Sequence, residues 1–280
     1  TQLSFVKMQS CGNDYIFFDN MDGKITCPES LAINFVDRHF GIGGDGITLI
    51  EKSDVADAKM RIFNKDGSEG AMAGNSIRCV AKYLFDNGIV NKKHMTIETL
   101  SGIRQLTLFT FNGKVSSVSV DMGKAVLNGR AIPSTLEGET VVGRDITVGG
   151  KNYNVTLVNV GNPHCVVFCD KVDAVDLANV GPLFEYAPCF PQRINTEFVR
   201  VVNDKTLKMR VWERGNGETL ACGTGAAASV VAAVLGGYCK TDEDITVKVR
   251  GGDLIVRYCA DGKVILTGNA RQVFEGTVEF

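Results

Sequence analysis

The chain has no run of basic residues, no uninterrupted apolar segment long enough to span a bilayer and no paired cluster of cysteines. Each absence removes a class of function. With a formal net charge of -2 and a pI near 6.0 there is no electrostatic footprint for nucleic acid or for an anionic membrane surface. The stretch Thr1-Gln2-Leu3-Ser4-Phe5 lacks the basic and apolar regions of a signal peptide. The expected location is therefore cytoplasmic and the expected partner a small molecule, with a homodimer left open. Nine cysteines, at 11, 27, 79, 165, 169, 189, 222, 239 and 259, are odd in number and scattered, so reduced thiols are expected. Cys165 and Cys169, four apart in a β-rich run, read as small hydrophobes, and no metal is expected. Of the three histidines, none falls in a motif that would partner a cysteine nucleophile, which sets a cysteine hydrolase aside. His164, beside Pro163 at a strand start, reads as structural.

What the chain does have is a copy of itself. Lys59-Met60-Arg61 returns as Lys208-Met209-Arg210, an offset of 149 residues (208 − 59). At that offset Val6 meets Val155, Gly12-Asn13 meets Gly161-Asn162, Glu69 meets Glu218, Gly74 meets Gly223 and Gly88 meets Gly237. The repeat is far too long for a solenoid. It predicts two pseudo-symmetric domains, residues 1–122 (with 269–280 returning to the first) and 123–268, and a ligand site in the cleft between them. Met72-Ala73-Gly74-Asn75 aligns with Ala221-Cys222-Gly223-Thr224, so alanine in one half faces cysteine in the other.

Short apolar or alternating runs bounded by turn residues predict strands at 3–8, 15–19, 59–63, 105–109, 115–120, 155–160 and 254–258. Each half also carries one strongly helical stretch, starting just after Ala73-Gly74 or Cys222-Gly223 and ending at Gly88 or Gly237. The first has an apolar stripe of Ile77, Val80, Ala81, Leu84 and Phe85, whereas 226–235 is apolar nearly all round, as expected of a helix wrapped by strands. A further helix is predicted from Ser30 to Arg38, with no counterpart in the second half. The fold class is α/β of the α+β type, each half a strand-rich roll or barrel around a central helix. Gly41-Ile42-Gly43-Gly44-Asp45-Gly46 matches a dinucleotide-binding spacing, but it follows a helix and precedes a strand, the reverse of the required order.

A cysteine one residue before a helix, with Gly217, Gly223 and Gly225 around it, has a chemical meaning. Unpaired N–H groups and the helix dipole are expected to stabilise its thiolate and to hold a carboxylate beside it. Two such helix starts on one amino acid would racemise it: a thiolate removes the α-proton while a thiol donates to the opposite face. No cofactor is needed for that chemistry.

Seven motifs extend the pattern: Gly12-Asn13-Asp14, Arg38-His39-Phe40-Gly41-Ile42-Gly43, Phe63-Asn64-Lys65-Asp66-Gly67-Ser68-Glu69, Gly161-Asn162-Pro163-His164-Cys165, Phe190-Pro191-Gln192-Arg193-Ile194-Asn195, Glu213-Arg214-Gly215 and Ala221-Cys222-Gly223-Thr224-Gly225. On these the whole chain resembles diaminopimelate epimerase, the pyridoxal-phosphate-independent enzyme that interconverts LL- and meso-diaminopimelate in lysine and peptidoglycan precursor synthesis. The resemblance implies that Cys222 is one catalytic cysteine and that the other belongs at position 73, where this chain has Ala73. It implies substrate contacts from Asn13, Asn64, Asn162, Asn195, Glu213 and Arg214, and carboxylate donors from Gly74, Asn75, Gly223 and Thr224. Glu213 and Arg214 suit the ammonium and carboxylate of the non-reacting end. The expectation is a deliberate substitution that leaves binding intact and impairs turnover. Two alternatives stay open: a racemase of another amino acid such as proline, hydroxyproline or histidine, and a non-catalytic amino-acid-binding relative.

Overall fold

A computed structural model describes residues 1–71 and 73–280. Its strands and helices run β1 (Gln2–Ser10), β2 (Asn13–Asp19), α1 (Pro28–Phe35), β3 (Gly46–Glu51), β4 (Ala58–Phe63), β5 (Glu69–Gly70), α2 (Gly74–Asp86), β6 (His94–Thr99), β7 (Gly102–Phe111) and β8 (Lys114–Lys124). They continue with β9 (Arg144–Val148), β10 (Lys151–Asn159), β11 (Pro163–Phe168), α3 (Leu177–Glu185), β12 (Asn195–Asn203), β13 (Thr206–Glu213), β14 (Gly217–Glu218), α4 (Gly223–Leu235), β15 (Asp244–Val249), β16 (Gly252–Tyr258), β17 (Lys263–Asn269) and β18 (Arg271–Glu279). The chain divides into two compact units, Thr1–Val120 with Thr267–Phe280, and Asp121–Leu266.

In the first unit β1 pairs antiparallel with both β18 and β2, β2 runs parallel to β3, β3 antiparallel to β4, β4 parallel to β6, and β6 antiparallel to β7. The second unit repeats this order with β9, β10, β11, β12, β13, β15 and β16. A parallel pair cannot be closed by a hairpin and needs a crossover. The helices supply all four: α1 between β2 and β3, α2 between β4 and β6, α3 between β11 and β12, and α4 between β13 and β15. The duplication therefore has a counterpart for α1, contrary to the sequence-based expectation. It is α3, hidden because Gly181 and Pro182 lie inside it. Gly181 is there for packing: a Cβ would stand 2.3 Å from Cδ2 of Trp212. The first helix also begins earlier and stops sooner than Ser30 to Arg38, with Pro28 in its first turn.

The predicted strands all form, most of them longer at one or both ends, while the one predicted over 155–160 starts earlier and stops at Asn159. The glycine-rich run 41–46 follows α1 and leads into β3, which begins at Gly46, the order that excludes a dinucleotide turn. In the first unit Phe5, Ile16, Phe18, Leu31, Ile47, Leu49 and Phe63 make a core under α1. In the second, Val155, Leu157, Leu177, Phe184 and Phe198 make a core that includes α3, and Cys165 packs among them as a small apolar side chain. The helix α4 contacts β10, β11, β12, β13, β15 and β16, and its side chains from Ala226 to Ala233 are all buried. Each buried valine there contributes roughly 1.5–3 kcal/mol. Among the described residues no helix is long and apolar enough to cross a membrane.

Candidate active site

The two helix starts are built alike. Ala73 caps α2 with φ −131° and ψ 122°, and Cys222 caps α4 with φ −126° and ψ 109°. Their carbonyls accept the first intrahelical bonds, from Ile77 N–H at 3.0 Å and Ala226 N–H at 2.9 Å. In the second unit the Cys222 Sγ accepts from the Gly225 N–H at 3.3 Å and lies 3.5 Å from the Thr224 hydroxyl. Ala73 has no side-chain cap. Met72, the residue before it, lies outside the described residues.

Cys222 is buried beside two acids. Burial, followed by the charges of Glu213 and Glu197, pushes its thiol well above the ordinary range, and the hydrogen bonds from Thr224 and Gly225 only partly offset this. The expected stabilisation of the thiolate by the helix start is thus outweighed here, since a helix terminus contributes only about 0.3–2 kcal/mol. Removing one of the acids reverses part of the effect. Glu213→Gln is expected to speed iodoacetamide modification of Cys222 at pH 8 roughly threefold, because the thiol then ionises at lower pH. Site-resolved mass spectrometry reads this directly, and an unchanged rate would remove Glu213 from the thiol's surroundings.

Glu197 is a site residue that the sequence did not reveal. It and His164 are fully buried; His164 Nδ1 lies 2.6 Å from Glu197 Oε1, and Nε2 lies 2.8 Å from Asn162 Oδ1. Its carboxylate passes over Gly225, where a Cβ would meet Glu197 Oε1 at 2.8 Å and Cys222 Sγ at 3.2 Å. At the corresponding places in the first unit stand Thr48 and Ser76, whose hydroxyls bond at 2.7 Å. Glu197 lies in β12, which is not among the strands predicted from the sequence, and a lone acid there gives no local sign of burial. The reading of His164 as structural is incomplete for the same reason, because its ring links Asn162 to Glu197.

The other predicted residues group within their own units. In the first, Asn75 Nδ2 donates to Asn13 Oδ1 at 3.2 Å, and Asn13 Nδ2 donates to Asp45 Oδ2 at 2.6 Å. Arg38 binds both Asp45 and Asp14, and Lys7 also reaches Asp14. Burial raises the Asp14 carboxyl, but Arg38 and Lys7 overcome it and hold the group at about 2. Asn64 is exposed on a turn, bonded to Ser68. In the second unit Asn195 is buried, with Oδ1 accepting from Arg214 N–H at 2.7 Å and Nδ2 donating to the Pro163 carbonyl at 2.9 Å. Both ends of its amide hold the chain, so its visible work is to set Arg214. The Arg214 guanidinium donates to the Gln192 carbonyl at 3.0 Å, and Glu213 accepts from the Thr219 hydroxyl. Gly215 N–H is held by the buried Glu185, which also binds Trp212 and Arg193. No three His, Cys, Asp or Glu side chains converge on a metal position among the described residues.

Comparison with known proteins agrees with the motifs. The family model of diaminopimelate epimerase matches residues 5–128 and 156–273. Diaminopimelate epimerases of Methanococcus maripaludis and Acetivibrio thermocellus are each 48% identical over 278 residues, 99% of this chain and 100% and 99% of theirs. Among solved structures, a probable proline racemase of Agrobacterium radiobacter superposes with a TM-score of 0.72 at 16% identity, covering 99% of this chain and 93% of that one. A phenazine biosynthesis protein of Bacillus anthracis gives 0.71 at 15% identity, covering both chains completely. The structural likenesses establish the fold, and the sequence matches, end to end and near half identical, establish that this chain belongs to the diaminopimelate epimerase family.

Proposed function

We propose that this chain binds diaminopimelate and exchanges its α-proton without a cofactor, using Cys222 as its one acid–base thiol, and that Ala73 stands where a second thiol would complete epimerisation. The observation that carries the reading is the match of the two helix starts. Gly74 and Asn75, and Gly223 and Thr224, offer N–H groups of the kind that hold a carboxylate, and the cap residues share one backbone conformation.

In this mechanism the thiolate of Cys222 takes the α-proton, and the helix-start N–H groups take up the charge that develops on the reacting carboxylate. Asn13, Asn64, Asn75, Asn162, Asn195, Glu213 and Arg214 orient the substrate. Arg214 serves the distal carboxylate and Glu213 the distal ammonium. Without an acid at position 73 the opposite face receives no proton from the protein, so the carbanion-like species returns to the isomer it came from.

The test follows each isomer separately by proton NMR in deuterated water. Exchange at the α-proton of one isomer, with little interconversion, is the expected result. Tight binding of diaminopimelate with no exchange in either isomer would remove Cys222 from the proposed role. The fold shared with a proline racemase supports a second reading, a racemase of another amino acid; competition of proline, hydroxyproline and histidine against diaminopimelate separates the two. A non-catalytic binding relative predicts an alanine codon at position 73 in the source gene, and a deliberate substitution predicts cysteine.

A further inference from the structure

Among the described residues the largest fully buried side chain is a cation, Arg78 on α2. No carboxylate forms an ion pair with it among the described residues, and the titratable groups acting on it are the thiols of Cys79 and Cys11. Its Nη2 donates to Ser10 Oγ at 2.8 Å and to Asn75 Oδ1, and its Nε donates to the Asn269 carbonyl at 3.3 Å. The guanidinium lies flat over Gly268, where a Cβ would stand 2.7 Å from Cζ. A place has been cleared for it. Burying a charge without a counter-charge is costly, and an apolar residue of similar volume serves stability better.

The string of bonds that starts at Arg78 shows what the charge does. A guanidinium has only donors and an ionised carboxylate only acceptors. Arg78 therefore compels Asn75 to turn its oxygen inward and its NH2 outward, onto Asn13 Oδ1. Asn13 then turns its own NH2 to Asp45, which Arg38 holds from the other side. Charges at the two ends thus set both amides. The side chain also runs back toward the start of α2, as long side chains on helices do, and its residue is only about 7.5 Å along the axis from position 73. The remaining charged groups near this end, Lys7 with Asp14 and Arg38 with Asp14 and Asp45, are already paired.

The second unit has nothing like it. Ala227 occupies the place of Arg78, and the acids Glu197 and Glu213 flank the cap residue instead. We propose that Arg78 is a positioning residue, which fixes the amides of Asn75 and Asn13 toward substrate and gives the start of α2 a positive charge, so that position 73 accommodates an anion far more readily than position 222. The proposal rests on reading position 73 as an acid–base position.

It is tested in the Ala73→Cys protein with Arg78 intact or replaced by Lys or Met, with folding checked by circular dichroism. The first readout is the pH dependence of iodoacetamide modification at the new thiol, resolved by peptide mass spectrometry. Arg78→Met is expected to reduce the thiolate fraction at pH 7 about tenfold, whereas Arg78→Lys keeps the profile within about threefold. The second is diaminopimelate turnover. Arg78→Lys, which keeps the charge but loses the fork, is expected to raise KM more than it lowers kcat, and Arg78→Met to lower kcat about tenfold or more. Should Arg78→Met fail to fold, Arg78→Gln replaces it in both readouts. A modification profile indifferent to the charge at 78 in an epimerising protein overturns this inference alone. A charge-dependent profile with no epimerisation upholds the role of Arg78 and overturns the substrate reading.

Discussion

Interconversion of LL- and meso-diaminopimelate is expected to rise by roughly 10²–10⁴-fold when Ala73 is changed to cysteine, the range typical of one well-placed acid–base group. Three observations support so large a gain from a single added sulfur. The cap backbone at 73 already has the conformation that Cys222 adopts, so the new side chain meets no strain. Ser76 is the counterpart of Gly225, whose N–H donates to the Cys222 sulfur in α4, so the Ser76 N–H is expected to donate to a sulfur at 73. The amides of Asn75 and Asn13 are held by bonds that do not involve position 73. The assay is NMR of the two isomers at equal enzyme concentration. A Ala73→Cys protein that binds diaminopimelate as tightly as the parent yet interconverts it no faster would sink the assignment of position 73.

The second large effect concerns stability. Glu197→Ala is expected to cost about 3–5 kcal/mol, because it strips a buried imidazole of its partner and leaves an unfilled space beside Cys222. Urea unfolding followed by the fluorescence of Trp212 reports it, since this single tryptophan belongs to the same unit. Glu197→Gln, which preserves the shape, should lose far less. A cost below about 1 kcal/mol for the alanine variant would mean that the His164 and Glu197 contact contributes little, as exposed pairs do.

Much of this was legible in the residues themselves. The 149-residue offset predicts α2 and α4 as equivalents, and both begin at the glycine, one residue before the expected start, because a helix boundary depends on a few local residues: a cap, a glycine and the end of an apolar stripe. The same logic failed at α3. Gly181 and Pro182 are local signals against a helix, and they are overridden by the need to close a parallel crossover and to admit the Trp212 ring. Glu197 and Arg78 escaped notice for a different reason. A single charge in a strand or on a helix reads as a solvated face, and only the tertiary fold turns it inward. The raised thiol of Cys222 belongs with these, since the helix start is a sequence feature but the depth of burial and the approach of two acids are not.

The exchange of Thr48 and Ser76 in one unit for Glu197 and Gly225 in the other conserves space as well as altering charge. A long acid in the strand requires a bare α-carbon on the helix, and a hydroxyl pair requires a side chain on each. The two positions are thus coupled in size: a side chain at 225 collides with the long acid at 197, and a short residue at 197 opens a void over Gly225. At this place the two halves of the chain differ by a pair of residues, and the pair, rather than either residue, is the unit of change.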